Sequence, residues 1–226
     1  MNILFITYYE LYLGGISMSD IFYLVKNLPY SMVDLEPIID KTTLCIHHDK
    51  IYVKYVEKLN YLILKSKQLS RYSIEELLFN PYLIPANIMN EFLYNAGGVY
   101  NHELYFENLS KNKSLLNGPI NDLIIKQYKK VDNFYEKILS TATSPINYNW
   151  VVLGLTKNND LTIIGLKDND TSVSLNIYPL IVIDIAEHSY FMKYHNHKDH
   201  YIKNVLQIID YDVVNSRLNK MNKSVF

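Results

Sequence analysis

Only one cysteine, Cys45, occurs in the 226 residues, so no internal disulfide forms within the chain and no cage of thiolates can hold a metal. Any metal site must therefore be built from nitrogen and oxygen donors, and a reducing compartment is compatible with the composition. Charge of one sign is equally scarce: 22 Lys and Arg against 23 Asp and Glu leave a formal net charge of -1. Without a broad basic surplus to neutralise phosphates, nucleic acid is not expected as the main partner, local basic patches aside. No apolar run reaches the roughly 18 residues of a membrane span, because Glu10, Asp20 and Lys26 interrupt the hydrophobic N-terminus. A soluble protein with no membrane partner is expected. Trp occurs once while Tyr occurs 21 times, which leaves Tyr to do much of the aromatic packing.

What is present is a chain 49% hydrophobic and 20% charged, enough for one sizeable globular unit or two small domains sharing an interface. Its first segment, Met1 to Ser17, is apolar like a signal peptide. No Lys or Arg precedes the apolar stretch, however, and Glu10 lies inside it. Cytoplasmic residence is expected ahead of an organellar or secreted location. Met18 opens MSDIFYLVKNLPYSM, a natural shorter start, so residues 1–27 read as an N-terminal extension.

From Ser31 to about Leu64, apolar residues including Ile39, Leu44, Tyr55, Val56, Leu59 and Ile63 recur at helical intervals and predict one long helix after a short entry. Pro81 and Pro85 break the chain before a second helical run, Ile88 to Leu109, which contains the Gly97-Gly98 pair. The two make a helical hairpin over 28–112. The polar stretch SKNKSLLNGPIN marks a domain boundary, and a second unit spans 118–226. There a helix to about Leu139 precedes strand-like runs at Trp150–Leu155, Leu161–Leu166 and Leu180–Asp184, with helical stretches at Glu187–Tyr194 and Tyr201–Tyr211. Helices first, then a small three-stranded antiparallel sheet with helices packed on it, is the α+β class.

The run IVIDIAEH ends a buried strand on Asp184 and places His188 four residues on. At about 100° per residue both side chains fall on nearly one face of a helical turn, able to reach a common metal. His47 and Tyr55, eight residues apart on the first helix, lie about 80° apart around its axis. His102 follows the glycine pair on the second helix. Imidazoles and a carboxylate suit iron or manganese and leave a position open for a small anion. Each His alone is more often a packed or surface residue than a ligand, and spacing alone does not assemble ligands from three segments.

Three stretches, LPYSMVDLEPIIDKTTLCIHHDKIYVKYVEKLN, NAGGVYNHELYFENL and DIAEHSYFMKYHNHKDHY, resemble signatures of the iron/manganese superoxide dismutase family, in order and at plausible separations over about residues 28 to 215. The resemblance implies a helical hairpin followed by an α/β domain with one metal between them. It also implies an enzyme that turns superoxide into oxygen and hydrogen peroxide by cycling that metal between trivalent and divalent states. The implied ligands are His47, His102, Asp184 and His188. Tyr55 corresponds to the family's active-site tyrosine, beside the open position and in the proton relay, a reading its motif position favours over that of a core Tyr. Glu187 matches a glutamate that reaches across a two-fold interface to the partner's ligand histidine, which implies a homodimer. Lys50 and Lys198 fall where the family steers superoxide by positive charge; as lone lysines they read equally as solvated surface.

The outer shell departs from the family pattern. Ile51 takes the gateway histidine's place and Phe191 that of its tyrosine partner, so both ends of one hydrogen bond are replaced. Losing both partners is nearly neutral where losing one is costly, so the interface is expected to survive while a proton path through this gate is lost. Ala186 and Val152 stand where tryptophans are usual, leaving Trp150 and a pocket expected to be wetter or roomier. Gly98 and Asn169 occupy the two locations from which the family supplies a glutamine to the metal-bound solvent. That arrangement looks like the manganese form, with Asn169 one methylene short, or else a plain turn residue. Manganese is expected ahead of iron. The alternative to an active dismutase is a weakened or inactive structural or interaction subunit with the same fold; a structural zinc protein is disfavoured without cysteine ligands.

Overall fold

Asp40 sets where the first long helix begins. Its carboxylate accepts the Thr43 backbone N–H at 2.9 Å and the Thr43 hydroxyl at 2.7 Å, an N-cap that satisfies donors the helix leaves unbonded. In the computed structural model, which describes residues 23–112 and 115–221, helix α1 is therefore Lys41–Ile46. The helical pattern expected from Ser31 does not form a helix before Lys41: 32–38 are turns, because Pro37 has no N–H to give a helix interior. The proposed shorter start at Met18 and most of the 1–27 extension lie outside the described residues.

The chain continues from α1 through a wide π-helical segment, His47–Tyr52, into α2, Val53–Lys65. A short helix α3, Ile74–Phe79, was not expected. It is capped reciprocally, Ser73 Oγ accepting the Glu76 N–H at 3.1 Å and the Glu76 carboxylate accepting the Ser73 N–H at 2.7 Å. Helix α4, Met89–Glu107, packs against α2 and completes the helical half.

The helix expected from Asn121 to Leu139 is two, α5 Gly118–Tyr128 and α6 Val131–Ala142. Lys129 between them takes a φ of 71°, which a continuous right-handed helix does not contain. The sheet has β1 Trp150–Leu155 at its centre, antiparallel to β2 Leu161–Leu166 and to β3 Tyr178–Asp184. Strand β3 begins earlier than expected and takes in Pro179, tolerated because β3 is an edge strand and Pro179 sits where the register shifts opposite Gly154. Helices α7 Glu187–Tyr194, α8 Lys198–Val205 and α9 Tyr211–Met221 follow. The last helix expected, Tyr201–Tyr211, is thus displaced: its second half is a 3-10 turn, Leu206–Ile208.

The halves share one core, to which Phe92, Val99 and Tyr105 of α4 contribute; α4 packs against β3, and the Tyr105 hydroxyl lies 3.0 Å from that of Tyr201 on α8. Polar ties reinforce the join. Arg217 of α9, 6% exposed, donates to the Leu104 and Leu180 carbonyls at 3.0 Å each. Asn108, just past α4, accepts the Val182 N–H of β3 at 2.8 Å. These contacts hold the end of β3, and Asp184 with it, against α4.

Candidate metal centre

His47 opens the π segment, and the extra residue in each turn there breaks the α-helical phase between His47 and Tyr55. The 80° separation expected from an unbroken α-helix therefore does not apply. His47 is 1% exposed and His102, on α4, is fully buried. The His102 Nδ1–H donates to the Gly98 carbonyl one turn back at 2.6 Å, which leaves its Nε2 as a bare acceptor. Asp184 ends β3 opposite Trp150. One of its oxygens, Oδ1, accepts the Ala186 N–H at 2.9 Å. The other, Oδ2, lies 3.0 Å from His47 Nε2, 3.1 Å from His188 Nε2 and 3.8 Å from His102 Nε2.

One donor atom from each of these four residues lies within 4.8 Å of the other three. Donors each about 2.1 Å from one first-row ion sit at separations like those around Oδ2. Among the described residues, His47 Nε2 and His102 Nε2 are buried with no hydrogen-bond partner. Leaving two such nitrogens bare in a packed interior costs roughly 1–3 kcal/mol each, unless a cation uses their lone pairs. Three imidazole nitrogens and one carboxylate oxygen, without sulfur, fit manganese or iron.

The electrostatics agree. Burial pushes the imidazoles of His47 and His102 down, the latter to about 3, so both stay neutral and available as ligands. Burial alone would raise the Asp184 carboxyl, but the neighbouring His188 outweighs it and holds it well below the usual carboxylate range. For His188, 31% exposed, burial pulls down and Asp184 pulls up more strongly, so the net shift is upward.

Around this group the structure brings together Tyr55, Asn169 and Gly98. The Tyr55 ring centroid is 5.4 Å from that of His102, and burial pushes its hydroxyl up to about 12. A Cβ on Gly98 would come within 2.8 Å of the Tyr55 ring and 3.0 Å of Asn169 Nδ2; one on Gly97 would fall 2.0 Å from the Asn169 carbonyl oxygen. The glycine pair is thus what lets the Asn169 loop lie against α4. That loop is pinned by Trp150 Nε1–H donating to the Asp168 carbonyl and Asn101 Nδ2–H to the Asp170 carbonyl, both at 2.8 Å. Asn169 Nδ2 itself is buried without a partner among the described residues.

The other expected residues lie further out. Glu187 and Lys50 are exposed, while Lys198 is half-buried with its ammonium 5.5 Å from the Tyr190 ring centroid. Ile51 is half-buried, Val152 is buried, and Phe191 is 49% exposed. Aromatic packing on the ligand rings is broader than Trp150 alone: Tyr105 and Phe106 lie 5.3 and 5.0 Å from His47, and Trp150 lies 4.9 Å from His102. Sequence reading missed Tyr201, whose hydroxyl donates to the Asp184 carbonyl at 2.9 Å. It also missed Tyr52 and Glu103. Glu103 accepts from the Tyr52 and Tyr23 hydroxyls at 2.9 and 3.2 Å and pairs with Lys26 at 2.6 Å. The ionisable residue beside His102 in NHELYF was the available signal.

Comparison with known proteins gives the same assignment. The model for iron/manganese superoxide dismutases, alpha-hairpin domain, matches residues 22–110, and that for the C-terminal domain matches 116–217. Among curated relatives, Superoxide dismutase (Mn) 2 of Bacillus anthracis is 32% identical over 196 residues, covering 85% of this chain and 93% of the relative. The protein of the same name from Bacillus cereus matches with the same identity and coverage. Two consecutive domain matches, relatives aligned over nearly their whole length, and a buried cluster of three imidazoles and a carboxylate agree: the chain belongs to the iron/manganese superoxide dismutase family.

Proposed function

We propose that this protein is a superoxide dismutase, converting two superoxide ions and two protons into oxygen and hydrogen peroxide, with one manganese, ahead of iron, held by His47, His102, Asp184 and His188. The observation that carries this reading is the pair of buried, unpartnered nitrogens, His47 Nε2 and His102 Nε2, facing Asp184 Oδ2. When bound, such an ion supplies one-electron redox between its trivalent and divalent states. The protein's own residues supply position and protons. Gly98 fixes the His102 tautomer through its carbonyl. Tyr55 keeps its proton at neutral pH and stands beside the ligands as a proton donor. The orphaned Asn169 amide is suited to hydrogen-bond solvent in the site.

The expected division at 28–112 and 118–226 puts the ligands on both sides of the join, two from each half. Lys198 and Lys50 add positive charge toward an anionic substrate. A homodimer is the assembly in which the exposed Glu187 would reach a partner's ligand histidine; Phe191 and Met192 on the same helix, 49% and 51% exposed, supply apolar surface for it. Elemental analysis of protein from metal-replete cells, followed by a superoxide-decay assay, tests the reading. Close to one metal per chain with activity supports it. Metal far below that stoichiometry favours a structural subunit with this fold, and metal without turnover assigns the defect to the substituted shell at Ile51, Phe191, Ala186 and Val152.

A further inference from the structure

Seven histidines occur in the chain. Three converge on Asp184, and His48 is bonded to the Lys26 carbonyl at 2.8 Å and to Asp49 at 2.7 Å. The remaining three fall in one stretch, HNHKDH, residues 195–200, which the centre described above does not use. His197 is the N-cap of α8, and Asp199 and His200 lie in its first turn. Residues three apart share a helix face, so the imidazoles of His197 and His200 stack, with centroids 5.1 Å apart and planes 16° from parallel. Asp199 Oδ2 is 3.7 Å from His200 Nε2. One donor atom from each of His197, Asp199 and His200 lies within 4.8 Å of the other two. Among the described residues neither ring is hydrogen-bonded to protein. The intervening Lys198 extends over the Tyr190 ring instead and does not block the three.

We propose that His197, Asp199 and His200 form a second metal site, on the surface, for a borderline divalent transition ion of the zinc, copper or nickel class. Two imidazoles select against magnesium and calcium, which favour all-oxygen shells. The His200 side chain is 61% exposed, so an ion enters from solvent and completes its shell with water. A competitor is built in: Lys203 Nζ lies 3.3 Å from Asp199 Oδ2, and an ion taking that oxygen must displace it. The site does not depend on the dismutase reading.

Zinc chloride titrated calorimetrically into protein whose buried centre is already filled with manganese tests this, alongside H197A/H200A and Lys203→Gln variants. The wild type should bind one zinc per chain more than H197A/H200A does. Lys203→Gln should bind that extra ion more tightly, and magnesium chloride should give no such difference. Any exchange at the buried centre would occur equally in H197A/H200A, so the difference reports the surface site alone. All these side chains are surface groups, and matching melting temperatures would verify that the variants fold. Equal zinc uptake by wild type and H197A/H200A overturns the site, and an equal difference with magnesium overturns its selectivity.

Discussion

The carbonyl of Gly98 accepts the Nδ1–H of His102 at 2.6 Å, so the residue that clears space for Tyr55 and Asn169 also decides which His102 nitrogen faces Asp184. Backbone and ligand are coupled through one helical turn.

Asp184 Oδ2 is the atom shared by the three histidines. Asp184→Ala should lower metal content from about one per chain to background, measured by elemental analysis on protein whose far-ultraviolet circular dichroism is unchanged. Unaltered metal content would mean the ligand set is misread.

Asn169 Nδ2 is buried without a protein partner among the described residues, and the proposed role in holding solvent predicts that its amide serves the chemistry at a cost in stability. In Asn169→Leu, of similar volume, the metal-free protein should melt no lower than wild type, because an orphaned donor costing roughly 1–3 kcal/mol is gone. The superoxide-decay rate of the loaded enzyme should fall by about 10- to 100-fold, the scale of lost outer-shell partners. A lower melting temperature with full activity would reverse the assignment.

Tyr55 has its hydroxyl pushed up to about 12, chiefly by burial. It is therefore protonated at neutral pH and loses its proton only as pH rises toward that value. A proton-donating role predicts a rate that declines on the alkaline side. Tyr55→Phe should be slower at neutral pH and lack that decline, read from decay rates across pH; the same alkaline limb in both proteins would assign it to another group.

Arg217 joins α9 to α4 and β3 through the Leu104 and Leu180 carbonyls. Arg217→Met fills similar volume but removes both bonds and takes this donor from the Leu180 carbonyl, while the Leu104 carbonyl keeps the Asn108 N–H at 3.2 Å. Urea unfolding should show a midpoint lower by an amount corresponding to about 1–3 kcal/mol, with an unchanged slope. No shift would show that water replaces the guanidinium.

Local pattern was enough for some elements and not for others. Strands β1 and β2 appear where apolar β-formers lie between turn-rich segments, and α7 appears at Glu187–Tyr194, as expected. The break at Lys129 and the π segment at His47–Tyr52 carry no proline, and apolar periodicity runs through both. The start of α1 was misplaced because the stripe continues upstream of Asp40, yet capping and Pro37 decide the boundary. For α3, Ser73 and Glu76 stood at capping-box spacing, a signal that was present and unread.

The metal-ligand residue types, their order and the glycine pair are properties of the chain itself: one cysteine excludes a thiolate cage, and Asp184 and His188 are close because four residues make about one helical turn. Tertiary structure alone decided that His47 and His102 meet them, since nothing local brings three segments to one point. It also decided that two nitrogens there lack partners among the described residues and that Gly97 admits the Asn169 carbonyl. Contacts between distant segments depend on packing of the whole core, which periodicity along the chain does not encode.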